Sequence, residues 1–181
     1  MADNDNDARA AWAHRGHHRP VFARVPGPGE ESVWDYPRPP DIRPESRAVR
    51  VIAGDHVVAE THSAVRLCET ASPPTFYIPG ADIDPGALVA SRTASFCEWK
   101  GRAAYWHVMT GDTRVADAAW GYPDARAAYG ALAHMLAFYP GKLVCFVGDE
   151  RVRAQAGGFY GGWVTAEIVG PYKGEPGTQS W

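Results

Sequence analysis

The chain is poor in cysteine and in lysine. Its three cysteines, Cys68, Cys97 and Cys145, stand far apart with no C-x-x-C pair. That count and spacing argue against a disulfide framework and against a four-thiolate zinc site. Reduced, mostly buried thiols are expected, with no structural zinc and no cofactor. Lysine occurs three times against fifteen arginines, which makes Lys100, in mid-chain, conspicuous. No run approaches the roughly 18 to 20 apolar residues of a membrane span, and the polar start lacks the apolar core of a secretory signal. A soluble, cytoplasmic protein without a membrane partner is therefore expected. A formal charge of -3 leaves no global footprint for nucleic acid.

Several catalytic signatures are missing as well. There is no Walker-type G-x-x-x-x-G-K, and the glycine-rich stretch 157–162 lacks the spacing and following helix of a phosphate cradle. No G-x-S-x-G elbow occurs, and no zinc hydrolase or deaminase pattern. Asp82-Ile83-Asp84 offers two carboxylates of the kind that hold Mg²⁺. Pro85 follows at once, so a turn with a self-bonded Asp is the reading taken. His14 and His18 share a helical spacing without a third ligand nearby, and read as part of a solvated basic patch.

What the chain does have is aromatic residues and turn formers: seven Trp, eight Tyr, six Phe, 19 Gly and 15 Pro in 181 residues. The length suits one domain with its own core. Residues 1–32 read as a flexible N-terminal arm, with an acidic run, a basic run and Pro26-Gly27-Pro28-Gly29. The folded domain is expected over 33–181, with its glycine-rich, aromatic tail docked on the body.

β-branched runs at 48–53 and 56–60 flank Gly54-Asp55 and predict a hairpin. Further strands are expected at 64–70, 75–78, 94–98, 103–109 and 114–120. Alternation puts Tyr105 and His107 on one face, with Ala104, Trp106 and Val108 on the other. A single short α-helix is expected over 124–136, capped by Asp124, with Ala125, Ala128, Tyr129, Leu132 and Leu136 on its buried face. A last hairpin is expected around Gly148-Asp149-Glu150. The sum is a mainly β, antiparallel, single-domain fold.

The densest polar and aromatic cluster is Phe96-Cys97-Glu98-Trp99-Lys100-Gly101 with Tyr105. A lysine among rings serves as a base or Schiff-base amine if desolvation lowers its pKa, or as an anion-binding charge; an edge-turn lysine packed on Trp99 is the plainer alternative. Cys97 is read as a structural thiol unless a histidine partner lies near. Alternation turns Glu69 away from Cys68 and Thr70, hence inward if the sheet encloses a cavity, where Lys100 or a tyrosine hydroxyl would partner it. Trp120 and Tyr122 sit at the expected junction of strand and helix, a common place for a pocket rim.

The ordered series Glu69-Thr70, Pro73-Pro74, Tyr77-Ile78-Pro79, Asp82, Cys97-Glu98-Trp99-Lys100-Gly101 and Tyr105-Trp106 resembles the family called domain of unknown function 427. The likeness runs on through Ala118-Ala119-Trp120-Gly121-Tyr122-Pro123 and Ala137-Phe138-Tyr139-Pro140. Longer members of the family are matched by Val33-Trp34-Asp35-Tyr36-Pro37-Arg38-Pro39-Pro40 and by 157–181, so the likeness covers 33–181. It implies a β-tent-like fold, the architecture of methionine sulfoxide reductase B and of the imide-binding domain of cereblon. Without C-x-x-C knuckles, the zinc of that fold and sulfoxide reduction are not expected here.

Two functions follow as expectations. In the preferred one the chain binds an unidentified small molecule through Tyr105, Trp120, Tyr122, Cys97 and Trp99, oriented by Glu69 and Lys100. In the alternative it is a cofactor-independent isomerase, lyase or hydrolase with Lys100 or Glu69 as base and Tyr77 or Tyr105 as acid. The nucleotidyltransferase-like label that the family carries is a weaker alternative, and an interaction module built on the aromatic tail is a third. Exposed rings make a homodimer a possible assembly.

Overall fold

The computed structural model describes residues 12–178 and 181. The acidic run at 3–7 lies outside the described residues.

In chain order, β1 (Glu31–Ser32) runs into a 3-10 turn (Val33–Asp35), followed by β2 (Asp41–Pro44), β3 (Val49–Ala53) and β4 (His56–Thr61). Next come β5 (Val65–Cys68) and β6 (Thr75–Pro79), two 3-10 turns, and the long strands β7 (Leu88–Cys97), β8 (Gly101–Thr110) and β9 (Thr113–Gly121). A 3-10 segment (Ala127–Leu132) precedes β10 (Met135–Phe138), β11 (Val144–Val147) and β12 (Glu150–Arg151). The tail adds β13 (Arg153–Ala154), β14 (Trp163–Val164) and β15 (Ile168–Val169).

Two antiparallel sheets carry the molecule. The larger has seven strands in the order β2-β5-β6-β10-β9-β8-β7, and the smaller has four in the order β12-β11-β3-β4. The chain is mainly β, as expected. The hairpin around Gly54-Asp55 is β3–β4, and the last hairpin is β11–β12.

The stretch 124–136 departs from expectation. Six of its residues form a 3-10 segment, Tyr129 sits outside helical geometry, and residues from Met135 onward are strand. Gly130 weakens a helix in the middle of the apolar pattern. Further on, β6 and β9 each present an edge, and β10 fills the gap by pairing with both. Sheet hydrogen bonds to two neighbours outweigh the propensity of a short alanine-rich run.

Alternation along the large sheet separates two cores. Phe76, Ile78, Ala119 and Phe138 face the small sheet and meet Val49, Val51 and Val147. Tyr77, Tyr105, Trp120 and Ala137 face the other way. The period-two reading of β8 holds, since Ala103 and Tyr105 join the second group while Trp106 and Val108 join the first. The tail enters the first core through Trp163, which stacks on Phe76 at 4.8 Å and donates its indole N–H to the Phe138 carbonyl at 3.0 Å.

Among the described residues, segments from the two halves of the chain meet around Trp34. Trp34 is buried, with His14 and Phe22 edge-on to its ring at 5.2 and 5.0 Å. Phe22 also stacks on Trp181 at 4.9 Å. His14 is thus a packing residue and not part of a solvated patch. All three cysteines are free thiols; Cys68 and Cys145 are buried and Cys97 partly so. Burial pushes the Cys68 thiol up to about 12, so it stays protonated at neutral pH.

Candidate functional site

The second face of the large sheet is the floor of a cavity of about 300 Å³, at the small end of the range that ligand sites occupy. Strand register builds that floor. Tyr77 lies opposite Ala137, Ala137 opposite Trp120, and Trp120 opposite Tyr105, so four strands place these residues in one transverse row. Ala137 is the small member of the row, leaving Tyr77 and Trp120 with ring centroids 6.5 Å apart. Tyr139 closes on Trp120 at 4.3 Å. The roof comes from both chain ends, through Trp12, Phe159, Tyr160, Gly161 and Lys173. Gly161 lies against the Trp120 ring so closely that a Cβ would overlap it.

Lys100 enters from the turn between β7 and β8. The turn closes at Gly101, whose φ of +101° is strained for any residue with a side chain. The lysine is only 6% exposed, and its ammonium lies 5.2 Å from the Tyr122 ring centroid. Burial works against its charge; Tyr77, Cys97 and Tyr122, in their ionised forms, and Glu69 attract it, and together they hold its pKa well above the ordinary lysine range. It is an ammonium at neutral pH. Tyr77 is pushed up to about 12 by burial, with Lys100 opposing, and burial pushes Tyr122 and Tyr139 upward too. These phenols therefore keep their protons and remain donors.

Glu69, the residue just after β5, also lines the cavity, while its neighbour Cys68 is buried in the cluster around Trp34. Its partner is Arg38, whose Nε donates to Glu69 Oε1 at 3.1 Å. The Arg38 side chain is 1% exposed and donates through Nη2 to the Thr70 carbonyl at 2.8 Å and through Nη1 to the His14 carbonyl at 3.2 Å. Its guanidinium also covers the Trp12 ring at 4.3 Å. The Lys173 ammonium lies over the same ring at 3.7 Å, so Trp12 touches two cations. Burial first, and then the charge of Arg38, lowers the Lys173 pKa to about 8. Trp12 donates its indole N–H to Glu98 at 3.3 Å.

The structure thus brings Glu69, Tyr77, Cys97, Lys100, Tyr105, Trp120 and Tyr122 to one cavity. Trp99 is buried in the same apolar cluster but does not line the space. Glu69 meets Arg38 where the sequence suggested Lys100 or a tyrosine. The Tyr105 hydroxyl is bonded to Ser95 Oγ at 2.8 Å. Asp82 and Asp84 lie elsewhere: Asp82 accepts from Thr61, and Asp84 accepts from His56 and from the Gly86 amide in the expected turn.

Trp12, Arg38, Tyr139 and Lys173 were not among the residues singled out. Arg38 lies within the 33–40 motif already noted, and the scarcity of lysine marks Lys173 as much as Lys100. Trp12 carries no local signal. Among the described residues, no group of three or more His, Cys, Asp or Glu is placed to hold a metal ion. No helix among them is long and apolar enough to cross a membrane.

A family model described as a domain of unknown function (DUF427) matches residues 41–149. No curated protein matches the chain.

Proposed function

The chain belongs to the DUF427 family, whose description names no activity, and we propose that it binds a small molecule in the cavity above Trp120. The observation that carries this reading is the transverse row Tyr77, Ala137, Trp120 and Tyr105, with the small residue in the middle. Four strands in fixed register hold ring faces around a space that their own side chains leave open. A flat molecule would find stacking surfaces there and phenol hydroxyls at its edge.

A thermal-shift screen of metabolites tests the proposal. A binder is expected to raise the melting temperature of the native chain and to do so much less in Trp120→Ala, which loses the central ring. A hit that stabilises both proteins equally would bind elsewhere and count against the cavity.

One observation favours a second reading, acid–base catalysis in the same space. Lys173 lines the cavity with a pKa near 8, so a fraction of it is neutral amine at neutral pH. Lys100 suits the role of base poorly because it retains its proton, and Glu69 is engaged by Arg38. Turnover of a bound compound that is lost in Lys173→Met would favour catalysis over binding alone. The nucleotidyltransferase reading gains nothing from the site, since neither Asp82 nor Asp84 lines the cavity.

A further inference from the structure

The cavity carries unequal charge. Glu69 and Glu98 contribute two carboxylates, while Lys100, Lys173 and, just behind Glu69, Arg38 contribute three cations. The carboxylates are committed: Glu69 to the Arg38 guanidinium and Glu98 to the Trp12 indole. Lys100 is different. Among the described residues no hydrogen bond or ion pair engages its ammonium, and its neighbour is the face of Tyr122. The residue is 6% exposed, and what stays open to it is the space of the cavity it lines.

A buried charge in that condition is costly, and a π face compensates only part of the loss. A single negative charge placed against Lys100 would balance the site. The surroundings also fit an anion. Tyr77 and Tyr122 line the cavity with Lys100 and keep their protons at neutral pH, so each has an O–H to donate to an oxyanion. No second carboxylate needs to be displaced, since the Glu69 carboxylate is held by Arg38. Beside this polar corner lies the Trp120–Tyr105 floor, which favours a flat apolar body.

Resting on the binding proposal above, we propose that the ligand is a planar carboxylate, its anionic group against Lys100 and its ring on the Trp120 floor. An amide of the same shape would leave the ammonium uncompensated, and an amine would add a like charge.

The test uses matched carboxylate, amide and amine fragments on benzene, pyridine and indole rings, titrated by calorimetry against the full-length chain. Carboxylates are expected to bind at least about tenfold more tightly than their amides, with amines weakest. Lys100→Met should abolish that preference while leaving amide binding in place, and Lys100→Arg should retain it. Near-UV circular dichroism of the buried rings shows whether each variant is folded, and the comparison of classes on the native chain decides the matter even if one variant fails. Amides or amines binding as well as carboxylates would overturn the anion assignment while leaving the cavity a binding site. Binding that is unchanged in Trp120→Ala, or silence from every class, would overturn both.

Discussion

Lys100 and Arg38 are both buried cations, yet their surroundings make opposite demands. Arg38 makes three hydrogen bonds, to Glu69 and to the carbonyls of Thr70 and His14. Arg38→Met would strand a partly buried carboxylate and two carbonyls, and should cost about 3 kcal/mol in urea denaturation. Lys100→Met removes a charge that no ion pair balances among the described residues and whose phenol neighbours are uncharged at neutral pH, so the unliganded chain should melt there at the same temperature or higher. A large loss there would mean that the ammonium holds the fold together. Lys173 adds a pH signature. Its folded pKa lies near 8, against 10.5 for an ordinary lysine. Between those values the unfolded chain holds a proton that the folded chain has released, so this residue's contribution to stability rises with pH across that window. Below pH 8 both states are protonated and the folded state bears the burial penalty. The difference in melting temperature between the native chain and Lys173→Met should change in favour of the native chain from pH 8 to 10.

Strand alternation made most of the cavity floor readable before any coordinates. Tyr105 turned to the face that period two assigns, and Glu69, just past the end of β5, turned away from Cys68 into the cavity, because a slip of one residue would have put the two cores on the wrong sides of the sheet. The stretch 124–136 was not readable in the same way. Its spacing of Tyr129, Leu132 and Leu136 fits a helix, but Leu136 pairs with Ile78 and Gly121 in the sheet. That pairing is a long-range fact with no local mark. The roof was hidden for a similar reason, since Trp12 and Lys173 reach the cavity from the two chain ends. One roof contact is open to a direct check. Gly161→Ala would push against Trp120 and displace the ring or the 157–162 loop. A loss of roughly 1 to 3 kcal/mol is expected, together with weaker ligand stabilisation.

Over the whole molecule, the large sheet works on both faces, with an aliphatic core on one and the ring-walled cavity on the other. The tail ties the two together: Trp163 is buried between the sheets, while Gly161, two residues earlier, abuts Trp120. Trp163→Ala should therefore cost about 3 to 5 kcal/mol, and removal of 157–181 should abolish cooperative unfolding. A truncated chain that melts as sharply as the native one would make the tail an appendage and revive its reading as an interaction module. The same architecture explains why function was less readable than fold. Hydrophobic periodicity specifies which face a residue occupies, whereas a site depends on which distant groups remain unbalanced once the ends have closed over the sheet.

The most direct measurement is a crystal structure after soaking with aromatic carboxylate fragments. Density is expected inside the cavity, flat against Trp120 and within hydrogen-bonding distance of Lys100 Nζ. A space filled by the chain's own side chains, or fragments found only on the outer surface, would contradict the account.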